Sequence, residues 1–251
     1  MSHAFNILTS SLASTLRSWK GTSARKKYQQ PDLEIILFDQ EGCSESRLVR
    51  EALTELNLNV VIAPCPIGGN NIRKLKKDSG SSQVPRLVDA NGESNLIGSE
   101  AIINYLFKEY RNTDAPKSKQ LNSVNKIASR VASLVRLNAG IKAKPARPAE
   151  KPLTLYSFES SPFSRPVREL LCELELPYLL VNLGKQQWSD MGPANFRFTF
   201  KPYQPIKNSK RDAFFKLHGN VQVPYLNDPN TRTELFESKA IINYLTHTYQ
   251  K

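Results

Sequence analysis

The sequence predicts an α/β protein made of two consecutive units, each a four-stranded mixed sheet flanked by helices, joined by a basic helical connector. Three observations carry this. Ser99-Glu100-Ala101-Ile102-Ile103-Asn104-Tyr105-Leu106 returns as Ser238-Lys239-Ala240-Ile241-Ile242-Asn243-Tyr244-Leu245, and Gln83-Val84-Pro85 returns as Gln222-Val223-Pro224, both at an offset of 139. Earlier, Ser46-Arg47-Leu48-Val49-Arg50-Glu51 returns as Ser164-Arg165-Pro166-Val167-Arg168-Glu169 at an offset of 118; recurrence on this scale marks a repeated structural unit. Short β-rich runs also alternate with stretches of helical periodicity in the same order in both units. Finally, 251 residues that are 39% hydrophobic and 23% charged suffice for two small cores and exclude disordered, collagen-like and membrane-spanning classes.

The leader, residues 1–30, reads as a basic amphipathic helix. Ala13-Ser14, Arg17 and Gly21 return as Ala132-Ser133, Arg136 and Gly140. A transit peptide has no reason to recur before an internal unit, so a structural helix opening each unit is the better reading. In unit one (31–110), Glu34–Phe38 is the first strand and Ser44–Leu56 a helix carrying Leu48, Val49, Ala52, Leu53 and Leu56 on one face. Val60–Ala63 is a strand, Ile72–Lys77 a helix, Arg86–Val88 with Asn95–Ile97 a hairpin, and about 99–110 the closing helix. The connector (111–151) repeats Leu121, Val124, Ile127 or Ala128, Val131, Leu134 and Val135 at helical spacing, an apolar stripe expected to pack on its neighbouring domain. Unit two (152–251) repeats the plan with strand Leu153–Phe158, helix Pro162–Leu176, strand Tyr178–Leu183, helix Lys210–Leu217, hairpin Tyr225–Asn227 with Glu234–Phe236, and helix Ser238–Tyr249. The rise in offset from 118 to 139 places a 21-residue insertion at about 185–205, with Trp188, Phe196, Phe198, Phe200 and Tyr203 forming a small apolar cluster of their own.

The net charge of +12 is unevenly placed. Residues 1–30 carry +5 and 111–151 carry +8, whereas 31–110 carry −4 and 152–251 carry +3. The folded units are therefore not basic proteins, and attachment to a membrane or nucleic acid through the connectors ranks below a small-molecule function. Three cysteines without a C-x-x-C pair cannot build a disulfide framework and point to a reducing, cytoplasmic setting. His3, His218 and His247 share no ligand spacing, so no metal site is expected.

Chemistry concentrates at three turns of this plan. Cys43 sits where the first strand enters a helix, facing unpaired N–H groups that favour thiolate, with Arg47 and Arg50 one turn in. Val84-Pro85 and Val223-Pro224 open strands, where a proline needs an edge or a special turn and admits a cis bond. Gly98-Ser99-Glu100 and Glu237-Ser238 begin the closing helices, where serine caps and free N–H groups attract a carboxylate. In an open α/β sheet all three meet at one edge.

Strand, Cys-x-x-Ser at a helix start, Val-Pro, then Glu-Ser-x-Ala-Ile resembles the thioredoxin-fold N-terminal domain of glutathione S-transferases, and also glutaredoxins, over about 31–110 and 152–251. The resemblance implies glutathione as substrate or ligand. It implies sulfur-contacting positions at Cys43 and Ser161, backbone partners at Val84-Pro85 and Val223-Pro224, and γ-glutamyl contacts at Ser99-Glu100 and Glu237-Ser238. Departures limit it. Gly98 replaces the family's acid, Ser46 stands at the second-cysteine position of a dithiol site, and Ser161-Pro162-Phe163-Ser164 replaces Cys-Pro-Phe-Cys. Only monothiol chemistry through a glutathione mixed disulfide is then open to Cys43, whereas Ser161 is either a hydrogen-bond donor to a thiolate or simply an N-cap. Neither unit is followed by the helical domain that walls the second-substrate site. Cys65 reads as a buried hydrophobe, with a resolving thiol as the sharper alternative, and Cys172 as structural.

Three functions follow from these residues. One is a glutathione-dependent thiol or transferase-like enzyme using Cys43 and Ser161, acting on an electrophile or a thiol or disulfide protein. The second is a non-catalytic tandem module binding glutathione or a protein. The third is an interaction protein using its basic connectors.

Overall fold

A computed structural model describes residues 2–26, 29–119 and 122–251. The leader contributes α1 (His3–Leu16). The first half then runs β1 (Ile35–Asp39), α2 (Ser44–Glu55), β2 (Val60–Pro64), α3 (Asn70–Ser79), β3 (Arg86–Asp89), β4 (Ser94–Ile97) and α4 (Ser99–Arg111). After α5 (Ser123–Val135) the second half runs β5 (Leu153–Ser157), α6 (Arg165–Glu173), β6 (Tyr178–Asn182), α7 (Lys210–His218), β7 (Tyr225–Asp228), β8 (Thr233–Phe236) and α8 (Ser238–Tyr249), with a 3₁₀ turn at Trp188–Asp190. Parallel β1–β2 and β5–β6 pairs, each joined by a helix, and an antiparallel hairpin in each half give the expected element order.

The two sheets expected from the sequence are one. β2 and β6, each an edge in a four-stranded unit, pair antiparallel (Val60 opposite Leu180, Ile62 opposite Tyr178), so a single eight-stranded sheet runs β4-β3-β1-β2-β6-β5-β7-β8. The physical reason is that an open, largely apolar strand edge is a template for pairing, and each half removes the other's. Asn182 fixes the junction, donating to the Leu58 carbonyl (2.7 Å) and accepting from Thr54 Oγ1 (2.9 Å). Inward side chains of both halves, among them Leu37, Val60, Ile62, Leu155, Tyr178 and Leu180, belong to one continuous core, each large apolar group contributing about 1.5–3 kcal/mol by burial.

The alternation of β1 and β5 ends on a polar inward residue, Asp39 and Ser157, and each receives an arginine from the helix above. Arg50 Nη1 donates to both oxygens of Asp39 (2.7 and 2.8 Å), and Arg168 Nη1 donates to Ser157 Oγ (3.1 Å). Each arginine also reaches into the other half: Arg50 Nε donates to Glu159 (2.9 Å), and Arg168 Nε to Glu41 (3.1 Å). Arg47 and Arg165 complete a buried cluster, each 3.8 Å from Glu159 Oε1. Burial alone would raise the Glu159 carboxyl, but Arg168, Arg50, Arg165 and Arg47 hold it far below the usual range. Burial, with Glu41 and Glu159 nearby and only Arg50 to offset them, pushes Asp39 up to about 6.

α1 and α5 lie antiparallel on each other: Arg17 Nη1 donates to the Asn125 carbonyl (3.0 Å) and Arg136 Nη1 to the Asn6 carbonyl (3.0 Å). They are also exchanged. α1 opens the first half but packs on α6, and α5 precedes the second half but packs on α2. Loops after each helix cross the buried cluster at Gly21 and Gly140, both at φ +78°, where a Cβ would meet the Glu159 and Glu41 side chains at 2.7 and 2.9 Å. The expected packing of the connector stripe is overturned. α5 buries Asn125, Ser129, Ala132, Ser133 and Arg136, and its large apolar side chains Val124, Ile127, Val131 and Leu134 face outward; small residues are what allow two helices to approach closely. Leu121 lies outside the described residues.

Candidate functional site

In the second half the turn from β5 to α6 holds Ser161, buried at the wall of the sheet. Its hydroxyl accepts from the Ser164 N–H (3.2 Å) and from Ser164 Oγ (2.9 Å). A hydroxyl that accepts twice still has its own proton to give, so Ser161 remains a donor toward any group in front of it. Val223-Pro224 is cis and brings the chain into β7 beside this turn. At the start of α8, Glu237 sits at φ +68°, in the left-handed region that costs a non-glycine residue about 1–2 kcal/mol. Its carboxylate accepts from Gln222 Nε2, and the next residue, Ser238, faces His3 Nε2 at 3.4 Å.

These groups border one cavity of about 550 Å³, lined by Ser161, Val223, Pro224 and Glu237. Pro162, Phe163 and Gln222 of the same motifs line it too, and further walls come from places the motifs did not indicate. α1 supplies Ser11, the loop after it supplies Trp19, and the insertion supplies Pro193, Ala194, Asn195 and Arg197. The exchange of α1 is what carries the leader to this half. Lys185 flanks the same wall, donating to the Gly192 carbonyl (2.7 Å), and burial with Arg211 and Arg197 nearby lowers its ammonium to about 8. The insertion's aromatics gather around one open recess of about 820 Å³: Trp188, Phe196, Phe198 and Phe200 are exposed, the Trp188 and Phe198 rings 5.8 Å apart, and Tyr203 packs on Phe215.

Among the described residues of the first half, no single recess is lined by all the equivalent positions. Cys43 is half-buried and caps α2 without a side-chain hydrogen bond. Arg47 and Arg50, expected to favour its thiolate, turn inward: Arg47 Nη1 donates to the Ser129 carbonyl (3.2 Å) and Arg50 to Asp39, Glu159 and the Glu41 carbonyl. α5 lies over the turn, with Ser129 Oγ donating to the Ser44 carbonyl (2.8 Å). Val84-Pro85 is cis, but the recess at the start of α4 is a separate one of about 440 Å³, lined by Glu45, Ile97, Gly98, Ser99, Glu100 and Lys126. There Ser99 Oγ donates to the Glu45 carboxylate. Gly98, at φ +90°, occupies the backbone position that Glu237 holds with strain, so glycine relieves the strain and removes the acid.

The other two thiols are buried. Burial, with Asp39 and Glu175 adding to it, pushes Cys65 up to about 12, and Cys172 is raised as well; Cys172 Sγ accepts from the Glu41 N–H at 3.4 Å. Among the described residues no cluster of His, Cys, Asp and Glu could hold a metal ion, and no helix is long and apolar enough to cross a membrane.

The family model for the glutathione S-transferase N-terminal domain matches residues 37–114 and 155–251. The chain is 31% identical over 101 residues to the glutathione S-transferase-like protein OpS6 of Beauveria bassiana (strain ARSEF 2860), a span that is 40% of this chain and 37% of that relative. No solved structure gives a significant match to this chain.

Proposed function

Because this chain belongs to the glutathione S-transferase N-terminal domain family, we propose that it binds one glutathione, in the second half, and uses it in thiol chemistry. In this reading the matched segments are duplicates of one domain, about 31–110 and 152–251, of which the second keeps the site and the first has lost it. The single observation that carries the proposal is the cavity of about 550 Å³ on which Ser161, cis Val223-Pro224 and Glu237 converge. The tripeptide's backbone lies along Val223, its γ-glutamyl end reaches Glu237 and Ser238, and its sulfur faces Ser161. The free proton of the Ser161 hydroxyl donates to the sulfur and favours its ionised form. Strain held at Glu237 supports a ligand role for that carboxylate, since such outliers persist where function needs them. Conjugation then needs an electrophile in the same cavity, walled by Trp19 and the insertion. Titration calorimetry tests the reading: glutathione binds wild type and fails to bind Glu237→Ala. Heat-silent wild type removes it.

A second reading rests on Cys43, a half-buried thiol at a helix start with no side-chain partner. Its thiolate would attack the glutathione sulfur of a protein–glutathione mixed disulfide, forming the Cys43–glutathione disulfide and releasing the protein thiolate. A free glutathione thiolate would then attack the glutathione sulfur of that mixed disulfide, returning the Cys43 thiolate and leaving glutathione disulfide as the oxidised product. Mass spectrometry after exposure to glutathione disulfide tests it, by a glutathione adduct confined to Cys43. A binding module without turnover is the remaining alternative, distinguished by calorimetric binding without chlorodinitrobenzene conjugation.

A further inference from the structure

We propose that the α1–α5 layer docks on an anionic lipid bilayer surface, lying on it rather than crossing it. The two helices bury the wrong face for ordinary packing. Their inward sides are Ser10, Ala13, Ser14 and Arg17 on α1 and Ser129, Ala132, Ser133 and Arg136 near the same positions of α5. Their large apolar side chains point out. On α1 and the turn after it these are Phe5, Leu8, Leu12, Leu16 and Trp19, with Leu8 68% exposed. On α5 and its turn they are Val124, Ile127, Val131, Leu134 and Leu137, with Val124 74% exposed.

The rows correspond. Phe5, Leu8 and Leu12 lie 119 residues before Val124, Ile127 and Val131, so both helices of one antiparallel layer present the same outward face. Single exposed leucines are ordinary on a protein surface, but two adjoining rows of them mark a contact surface.

Charge selects the occupant. Residues 1–31 and 115–149 contain no Asp or Glu, and Lys126 and Arg130 stand on α5 beside the exposed row, Arg130 itself exposed. Lys26 and Lys117 are exposed in the adjoining loops. An apolar face on a two-helix layer that carries basic and no acidic side chains, with an exposed Trp at its edge, is the pattern of helices that lie in the headgroup plane, and the carboxylates beside Lys126, Glu45 and Glu100, come from the neighbouring helices. A second copy of this chain would bring the same cations face to face. Neither helix is long and apolar enough to span, so the layer rests at the interface. This inference is independent of the glutathione reading.

The test is co-sedimentation of the full chain with vesicles of phosphatidylcholine containing phosphatidylglycerol, against phosphatidylcholine alone. The expected result is binding to the anionic vesicles that is about tenfold weaker on neutral ones and weakens at high salt. Leu8→Glu with Ile127→Glu abolishes it, and Lys126→Ala with Arg130→Ala reduces it. Leu217→Glu, an exposed leucine elsewhere, leaves it unchanged, and circular dichroism confirms that all variants fold. The proposal is overturned by absence of sedimentation with anionic vesicles, or by equal loss in Leu217→Glu. A dimer in light scattering that Leu8→Glu dissociates, without vesicle binding, also overturns it and assigns the face to a second copy.

Discussion

The Ser99 hydroxyl donates to the Glu45 carboxylate, placing a carboxylate of the chain itself at the helix start where its counterpart Ser238 has His3 Nε2 at 3.4 Å. Gly98 supplies no acid there to engage an amino group. In the proposed reading the first half therefore holds no glutathione. Calorimetry with glutathione is expected to give one site per chain. Ser99→Ala leaves affinity and stoichiometry unchanged, whereas Ser238→Ala weakens binding by about 1 kcal/mol, the net worth of one hydrogen bond. Two sites in wild type would contradict this assignment.

α1 belongs to the first half in sequence and to the second half's cavity in space, through Ser11 and Trp19. Filling the cavity from that side should therefore disable a site more than 140 residues away. Ser11→Trp is expected to weaken glutathione binding at least tenfold, about 1.4 kcal/mol, with an unchanged melting temperature because Ser11 is only half-buried. Normal affinity in that variant would mean that α1 does not wall the site.

Much of this was legible in the chain because repetition doubles every signal. Strand and helix positions and both Val-Pro turns follow from spacing and turn chemistry, whereas Ser161, which lines the cavity with Val223, Pro224 and Glu237, is marked only by the family resemblance. What was hidden depends on contacts between halves. The apolar edges of β2 and β6 read equally well as buried strands of separate sheets. A stripe such as Ile127, Val131 and Leu134 gives the period of a helix but not which face is covered, and here Ser129, Ala132 and Ser133 are covered instead. Glu45 carries no motif. The pairing of Arg17 with Glu51 and of Arg136 with Glu169 left a trace, since Arg17 and Arg136 recur at one offset, yet nothing in sequence says that such arginines are buried.

Thiol reactivity should separate the three cysteines. Cys65 and Cys172 are buried and their thiols are raised, Cys65 to about 12, so almost no thiolate exists at either at neutral pH. Native protein treated with iodoacetamide at pH 8 is expected to carry label on Cys43 alone, and urea-unfolded protein on all three. Labelling of Cys65 as fast as Cys43 would show that the strand end opens readily, and would revive Cys65 as a resolving thiol.

The buried cluster offers a stability test with two opposed pH trends. Glu159→Gln leaves Arg50, Arg168, Arg47 and Arg165 without their shared carboxylate, and breaking a buried pair from one side costs about 3–5 kcal/mol. Because the Glu159 carboxyl is depressed in the folded state, its contribution is present above its ordinary value of 4.5 and is lost as pH falls below it. The gap between wild type and Glu159→Gln in urea unfolding should therefore narrow toward acid. Asp39 behaves oppositely. Its folded value is raised from 3.8 to about 6, so its contribution is full below 3.8 and is lost as pH rises through 6. Relative to Asp39→Asn, wild type should lose stability from pH 4 to pH 6 and change little above. Parallel trends in the two variants would mean that the cluster titrates as one unit, with no division between an anchored Glu159 and an over-crowded Asp39.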